Sequence, residues 1–93
     1  MGKFRVKVTK NAQKDIAIHL KSRNKLVIKN IGLILIELSE TPFEGIGKPE
    51  PLKYEYSGYW SRKINKKDRM IYYLEDETIT VYVVSAMGHY SDK

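Results

Sequence analysis

TPFEGIGKPEPLKYEYSGYWSR, residues 41–62, separates a first part of the chain with helical periodicity from a second part with alternating strands. All three prolines (Pro42, Pro49, Pro51) and three of the six glycines (Gly45, Gly47, Gly58) fall inside it. Backbone punctuation is therefore concentrated here and the flanks are regular. Pro49 and Pro51 fix φ on either side of Glu50 and push Glu50 itself toward extended backbone, which sets its carboxylate on a stiff support. Lys53 follows, then Ser57-Gly58, then the aromatic and basic run Tyr59-Trp60-Ser61-Arg62-Lys63. A positioned acid beside cations fits phosphate chemistry.

Upstream, Phe4-Arg5-Val6-Lys7-Val8 alternates apolar and basic residues, which predicts a strand over residues 3–8. Thr9 is placed to cap a helix that runs to about Ser22, with Ala12, Ile16 and Leu20 on one face. Arg23-Asn24 turns the chain into a second helix, residues 25–39, striped by Ile28, Ile31, Leu35 and Leu38 and flanked by Val27 and Ile34. The stretch 31–38 also reads as a buried strand, and Gly32 costs about 1 kcal/mol inside a helix, but length favours the helix. Leu33 and Ile36 lie off the stripe. Burial in the core is the first expectation for them, a partner or dimer surface the second.

Downstream, residues 52–56, 59–64 and 69–74 read as three strands of a meander, and residues 78–84 as a fourth after the acidic turn Glu75-Asp76-Glu77. The expected architecture is α+β: one strand, two helices, then an antiparallel meander packed against them, all in a single domain over residues 1–93. Register decides which cation faces the acid, because a one-residue slip exchanges the faces. A three-residue turn sets Lys63 beside Arg69 and collects Trp60, Ile64, Met70, Tyr72 and Leu74 on one apolar face. A two-residue turn sets Arg62 there instead.

Composition narrows the function. There is no cysteine, so neither a disulfide frame nor a thiolate metal site is available, and a reduced cytoplasm is expected. No apolar leader or bilayer-length run appears, so no membrane is expected. His19 and His89 are the only histidines and have no metal-ligand spacing; neither metal nor cofactor is expected. His19, between Ile18 and Leu20, reads as structural. Net charge is +6, with nine Lys/Arg against one acid in residues 1–30, an asymmetry that suits a polyanion or else a solvated face.

RNA can be cut without metal if a base takes the 2′-hydroxyl proton, cations stabilise the phosphorane and an acid protonates the leaving 5′-oxygen. Glu50, His89, Arg69 and Lys53 supply such a set. Singly, each also reads as a solvated charge, and His89 as a tail residue.

The run TPFEGxGKPEPLK followed by SGYWSR resembles the YoeB/Txe branch of the RelE-like bacterial toxins, and Gly88-His89-Tyr90 is similar to that family's closing His-Tyr. The likeness covers roughly residues 41–90; the first 40 residues match in pattern only. The resemblance implies a RelE-like fold and the toxin of a type II toxin–antitoxin system. Such a toxin is an endoribonuclease that cuts mRNA on the ribosome and is neutralised by a cognate antitoxin; a homodimer is a further partner expectation. It implies Glu50 as base, His89 as acid, and Arg69, Lys53 and Lys63 around the phosphate, with Arg62 as the fallback for Lys63 if the register slips. Tyr90, as an aromatic, reads as stacking on a base, bonding a phosphate or packing. Two departures stand out: Ser91-Asp92-Lys93 follow Tyr90, and Lys63 stands where the family often has arginine, a point charge in place of a bidentate fork. A binding protein of the same fold that acts by occupancy, as gyrase-directed relatives do, is the alternative.

Overall fold

The alternation at the start of the chain makes β1, Arg5–Val8, in a computed structural model that describes residues 3–87. Thr9 ends the strand and caps α1, Lys10–Ser22: its Oγ1 accepts the Ala12 amide at 3.3 Å. Arg23 closes α1 in the left-handed region, φ 59°, with its amide on the Leu20 carbonyl. Asn24 then caps α2, Lys25–Leu38, by accepting the Val27 amide at 3.2 Å. Two adjoining caps let the chain reverse with no longer loop.

Val27, Ile31, Ile34 and Leu38 of α2, at spacings of four, three and four, are buried, each side chain contributing about 1.5–3 kcal/mol through burial. They meet Ala12 of α1 and Met70, Tyr72, Val81 and Val83 of the sheet in one core. Leu33 and Ile36 are 39% and 64% exposed, which corrects the expectation that they pack in the core. The sheet lies on one side of α2 only, so the opposite side keeps its apolar residues in water. In α1 it is His19, not Leu20, that turns inward: Leu20 is exposed, while His19 is buried with Nε2 2.8 Å from the Ala86 carbonyl oxygen. Its structural reading holds.

The remaining strands are β2, Glu50–Pro51; β3, Trp60–Lys63; β4, Arg69–Glu75; and β5, Thr80–Ser85. They stack in the order β1-β5-β4-β3-β2. β2 to β5 form the expected antiparallel meander, and β1 adds a parallel edge on β5, making the sheet mixed. Residues 52–56 do not make the expected strand. Strand pairing stops at Pro51, Tyr54 adopts φ 58°, and Tyr54–Tyr56 close a single 3-10 turn, after which the Leu52 amide returns to the Tyr59 carbonyl.

The β3–β4 hairpin has the three-residue turn. The Ile64 amide bonds the Asp68 carbonyl, Asn65 Oδ1 accepts the amides of Lys67 and Asp68 at 2.9 and 2.7 Å, and Asn30 of α2 donates to the Ile64 carbonyl at 3.1 Å. A side chain that satisfies two turn amides holds the loop length, and the loop length sets Lys63 opposite Arg69.

Candidate active site

Alternation along the strands sorts the site residues between two faces. Arg62, Met70, Tyr72, Val81 and Val83 point toward the helices and are fully buried. Ser61, Lys63, Arg69, Ile71, Tyr73 and Tyr82 belong to the other face. Glu50 joins that second face because it pairs with Ser61 across β2 and β3. The lead-in is fixed by the Lys63 amide, which donates to the Gly47 carbonyl at 2.7 Å.

Arg69 brings the elements together. Its Nη1 lies 3.4 Å from Glu50 Oε2 and 3.3 Å from Ser61 Oγ. The ion pair is long, and the two side chains are 21% and 57% exposed, so water screens it and the carboxylate stays open to a substrate. Lys63 stands beside Arg69 in register and is exposed. Lys53 lies on the exposed link after β2, its carbonyl starting the 3-10 turn. Acid and cations thus share one sheet face, with Glu50 and Arg69 in contact and Lys63 adjacent; Glu50 and Lys63 are exposed there, while Ser61 and Ile71 of the same face are buried.

Arg62 does not belong to that surface, which corrects the alternative that placed it there. Its guanidinium is fully buried on the opposite face, where Nη1 donates to Glu37 Oε1 at 2.7 Å and Nη2 to the carbonyls of Thr41 and Glu44, both at 2.7 Å. Nε donates to Tyr72 Oη at 3.2 Å, and Tyr72 in turn donates to the Pro42 carbonyl at 2.7 Å. Burial pushes the Tyr72 phenol above its usual range against the lowering influence of Arg62, so it remains a donor. Glu37 also accepts the Ile46 amide at 3.0 Å. The Pro/Gly segment is therefore bolted from behind by Arg62, and the site residues hang on its front.

His89 and Tyr90 lie outside the described residues. Among the described residues no three His, Asp or Glu side chains gather to hold a metal, and no helix is long and apolar enough to cross a membrane.

Sequence reasoning missed a row of tyrosines on the site's face. Tyr59 and Tyr73 have ring centroids 5.3 Å apart, nearly edge-on, and Tyr73 and Tyr82 lie 5.2 Å apart and 22° from parallel. Desolvation, then the neighbouring Tyr59, Tyr82 and Glu75, raise the Tyr73 phenol above its usual range. Ser85, paired by register with Ile71, is buried, and its Oγ has no hydrogen-bond partner among the described residues. The available signal was the parity of Tyr73 and Tyr82, each one residue out of step with the apolar residues that turn inward on its strand, but register across three strands is needed to assemble the row.

Comparison with known proteins places this geometry in a family. The family model for the YoeB-like toxin of bacterial type II toxin-antitoxin systems matches residues 8–90. Toxin YoeB of Synechocystis is 43% identical over 72% of this chain and 76% of its own, and Toxin YoeB of Streptomyces coelicolor 36% identical over 94% and 100%. Among solved structures, a YoeB/ParE toxin from Agrobacterium tumefaciens superposes with a TM-score of 0.83 at 29% identity, covering 94% of this chain and 100% of that one. A YoeB dimer from Staphylococcus aureus gives 0.78 at 30% identity over 95% and 99%, and a YoeB-YefM complex from the same species 0.75 at 32% over 94% and 98%. Two helices capped end to end and a five-stranded mixed sheet are thus the fold these toxins share, and the chain belongs to the YoeB-like toxin family of bacterial type II toxin-antitoxin systems.

Proposed function

We propose that the chain is an endoribonuclease that cuts mRNA on the ribosome. The observation that carries this reading is the contact of Glu50 with Arg69, 3.4 Å apart on the sheet face turned away from the helices, with Lys63 beside them. Occupancy alone needs no base, whereas phosphoryl transfer needs a base and fixed cations together. Glu50 takes the proton of the 2′-hydroxyl, and the 2′-oxygen forms a bond to the adjacent phosphorus. Arg69, Lys63 and Lys53 hold the charge that gathers on the phosphorane oxygens. The bond from phosphorus to the 5′-oxygen then breaks, and His89, by family resemblance, delivers the proton to that oxygen. The products are a 2′,3′-cyclic phosphate and a 5′-hydroxyl. Tyr90 is assigned to stack on a base of the substrate or bond a phosphate, as splayed bases in RNA are commonly held on aromatic rings.

Relatives supply the partner reading: a cognate antitoxin, since a YoeB-YefM complex is among the similar structures, and a second copy, since a YoeB dimer is too. Action on ribosomes sets the cytoplasm as the compartment.

The test is the product of the reaction. Incubated with ribosome-bound mRNA, the protein is expected to leave a cyclic or 3′-phosphate and a 5′-hydroxyl, to spare a message carrying 2′-deoxy at the cut site, and to work in EDTA. A 3′-hydroxyl product, magnesium rescue after chelation, or inhibition of translation with every message intact would overturn it.

A further inference from the structure

Three large aromatic rings stand outside the core on the face that carries Glu50 and Arg69, and neither the acid–base step nor the phosphate contacts use them. Register fixes where they lie. The pairs Glu50–Ser61, Ser61–Ile71 and Ile71–Ser85 make one row across β2 to β5. Lys63–Arg69 lies two residues to one side of that row. Tyr73–Tyr82 lies two residues to the other side, with Tyr59 against Tyr73. Two residues of strand span about 7 Å, so this row, in which Glu50 is exposed and Ser61, Ile71 and Ser85 are buried, separates a cation row from an aromatic row at that spacing on each side.

The aromatic row does not end at Tyr82. On the parallel edge strand Tyr82 pairs with Lys7, and Arg5 lies two residues on from Lys7, paired with Thr80. Arg5 and Lys7 are exposed while Val6 and Val8 turn inward. The row therefore leads from the acid to a basic edge. At its β4 end the sign is opposite: Glu75, two residues past Tyr73, presents a carboxylate that repels a phosphate. All three tyrosines are partly exposed. The ring pair Tyr73–Tyr82 is already stacked, a layer to which another flat ring adds. Cations, then stacked aromatics, then cations again is a pattern matched by single-stranded nucleic acid, whose backbone and bases alternate in the same way.

We infer that the face bearing Tyr73, Tyr82 and Lys7 is a track for single-stranded RNA, on which a base flanking the scissile phosphate stacks against the tyrosines and the next phosphate meets Lys7 and Arg5. The inference rests on the nuclease reading for the position of the scissile phosphate. It extends that reading by assigning residues to a flanking nucleotide. Stacking is tolerant of base identity, so the track holds RNA in place without selecting a sequence.

The test is fluorescence anisotropy with a short single-stranded RNA of mixed sequence, fully 2′-O-methylated so that it is not cut. Wild type is compared with Tyr82→Ala, Tyr73→Ala, Tyr82→Phe and Lys7→Gln, each checked by melting temperature. Loss of one stacked base weakens binding roughly 5- to 100-fold, so that loss is expected for the alanine variants and not for Tyr82→Phe. The loss should vanish on RNA made abasic at the flanking nucleotide, and Lys7→Gln should reduce the slope of log affinity against log salt by about 0.7. Alanine variants that bind as tightly as wild type, or lose as much on abasic RNA as on intact RNA, overturn the track. If binding follows this pattern but wild type cuts no message, the nuclease reading fails and the track stands. If Glu50→Gln stops cutting while Tyr82→Ala binds as wild type, the reverse holds.

Discussion

Arg62 and Lys63 are neighbours of equal charge with opposite fates. Which of them faces the acid was open in the sequence, because both are cations and alternation assigns faces only once register is known. The Asn65 turn supplied the register, and Arg62 went to the interior. There its planar fork serves Glu37, two loop carbonyls and Tyr72 at once. Lysine keeps the charge but has neither the fork nor the reach to several acceptors. Arg62→Lys is therefore expected to destabilise the protein by about 3 kcal/mol, the range for breaking a buried pair. For a domain of this size that is a fall of roughly 12–24 °C in melting temperature. A thermal melt within a degree or two of wild type would contradict the bolt.

Elements were more legible than their ends. The Thr9 cap, the turn at Arg23-Asn24 and the helix α2 were readable because capping side chains and 3.6-residue periodicity are local. Val27 and Ile34, read as flanking the stripe, are nevertheless the buried pair in place of the half-buried Ile28 and Leu35. The exposure of Leu33 and Ile36 was not, since how much of a helix a sheet covers depends on packing elsewhere. Residues 52–56 misled for a related reason: their β-rich composition is overridden by a left-handed Tyr54 and the turn into β3. Two glycines test the element scale in opposite directions. Gly32 in α2 has open space where a Cβ would stand, so Gly32→Ala should raise stability by about 0.4–1 kcal/mol through helix propensity and unfolded-state entropy. Gly47 has φ +79° and a Cβ there would meet the Lys63 carbonyl oxygen at 2.8 Å. Gly47→Ala should therefore cost about 1–3 kcal/mol and loosen the lead-in to Glu50. Urea unfolding of both variants decides; equal shifts, or shifts of the reverse sign, would contradict the assignment.

At the scale of the molecule, the charge of +6 gains a location. Lys63 and Arg69 stand on the site's face, and Arg5 and Lys7 line the edge strand of the same sheet face. With two phosphates neutralised, the scissile one and the next, log affinity for single-stranded RNA is expected to fall with log salt at a slope of about −1.4; affinity flat from low to physiological salt would remove the electrostatic account. The acid and its cations were legible in the sequence because Pro49 and Pro51 mark Glu50 and one hairpin delivers Arg69. The tyrosine row was not, since it is assembled from residues of three strands. The most direct measurement is single-turnover cleavage of ribosome-bound mRNA by Glu50→Gln, run beside its thermal melt. Glu50 is largely exposed and makes one long ion pair among the described residues, so the variant should melt within a few degrees of wild type, while loss of a positioned base should slow cutting about 10²- to 10⁴-fold. Cutting at the wild-type rate by a folded Glu50→Gln protein would contradict the account.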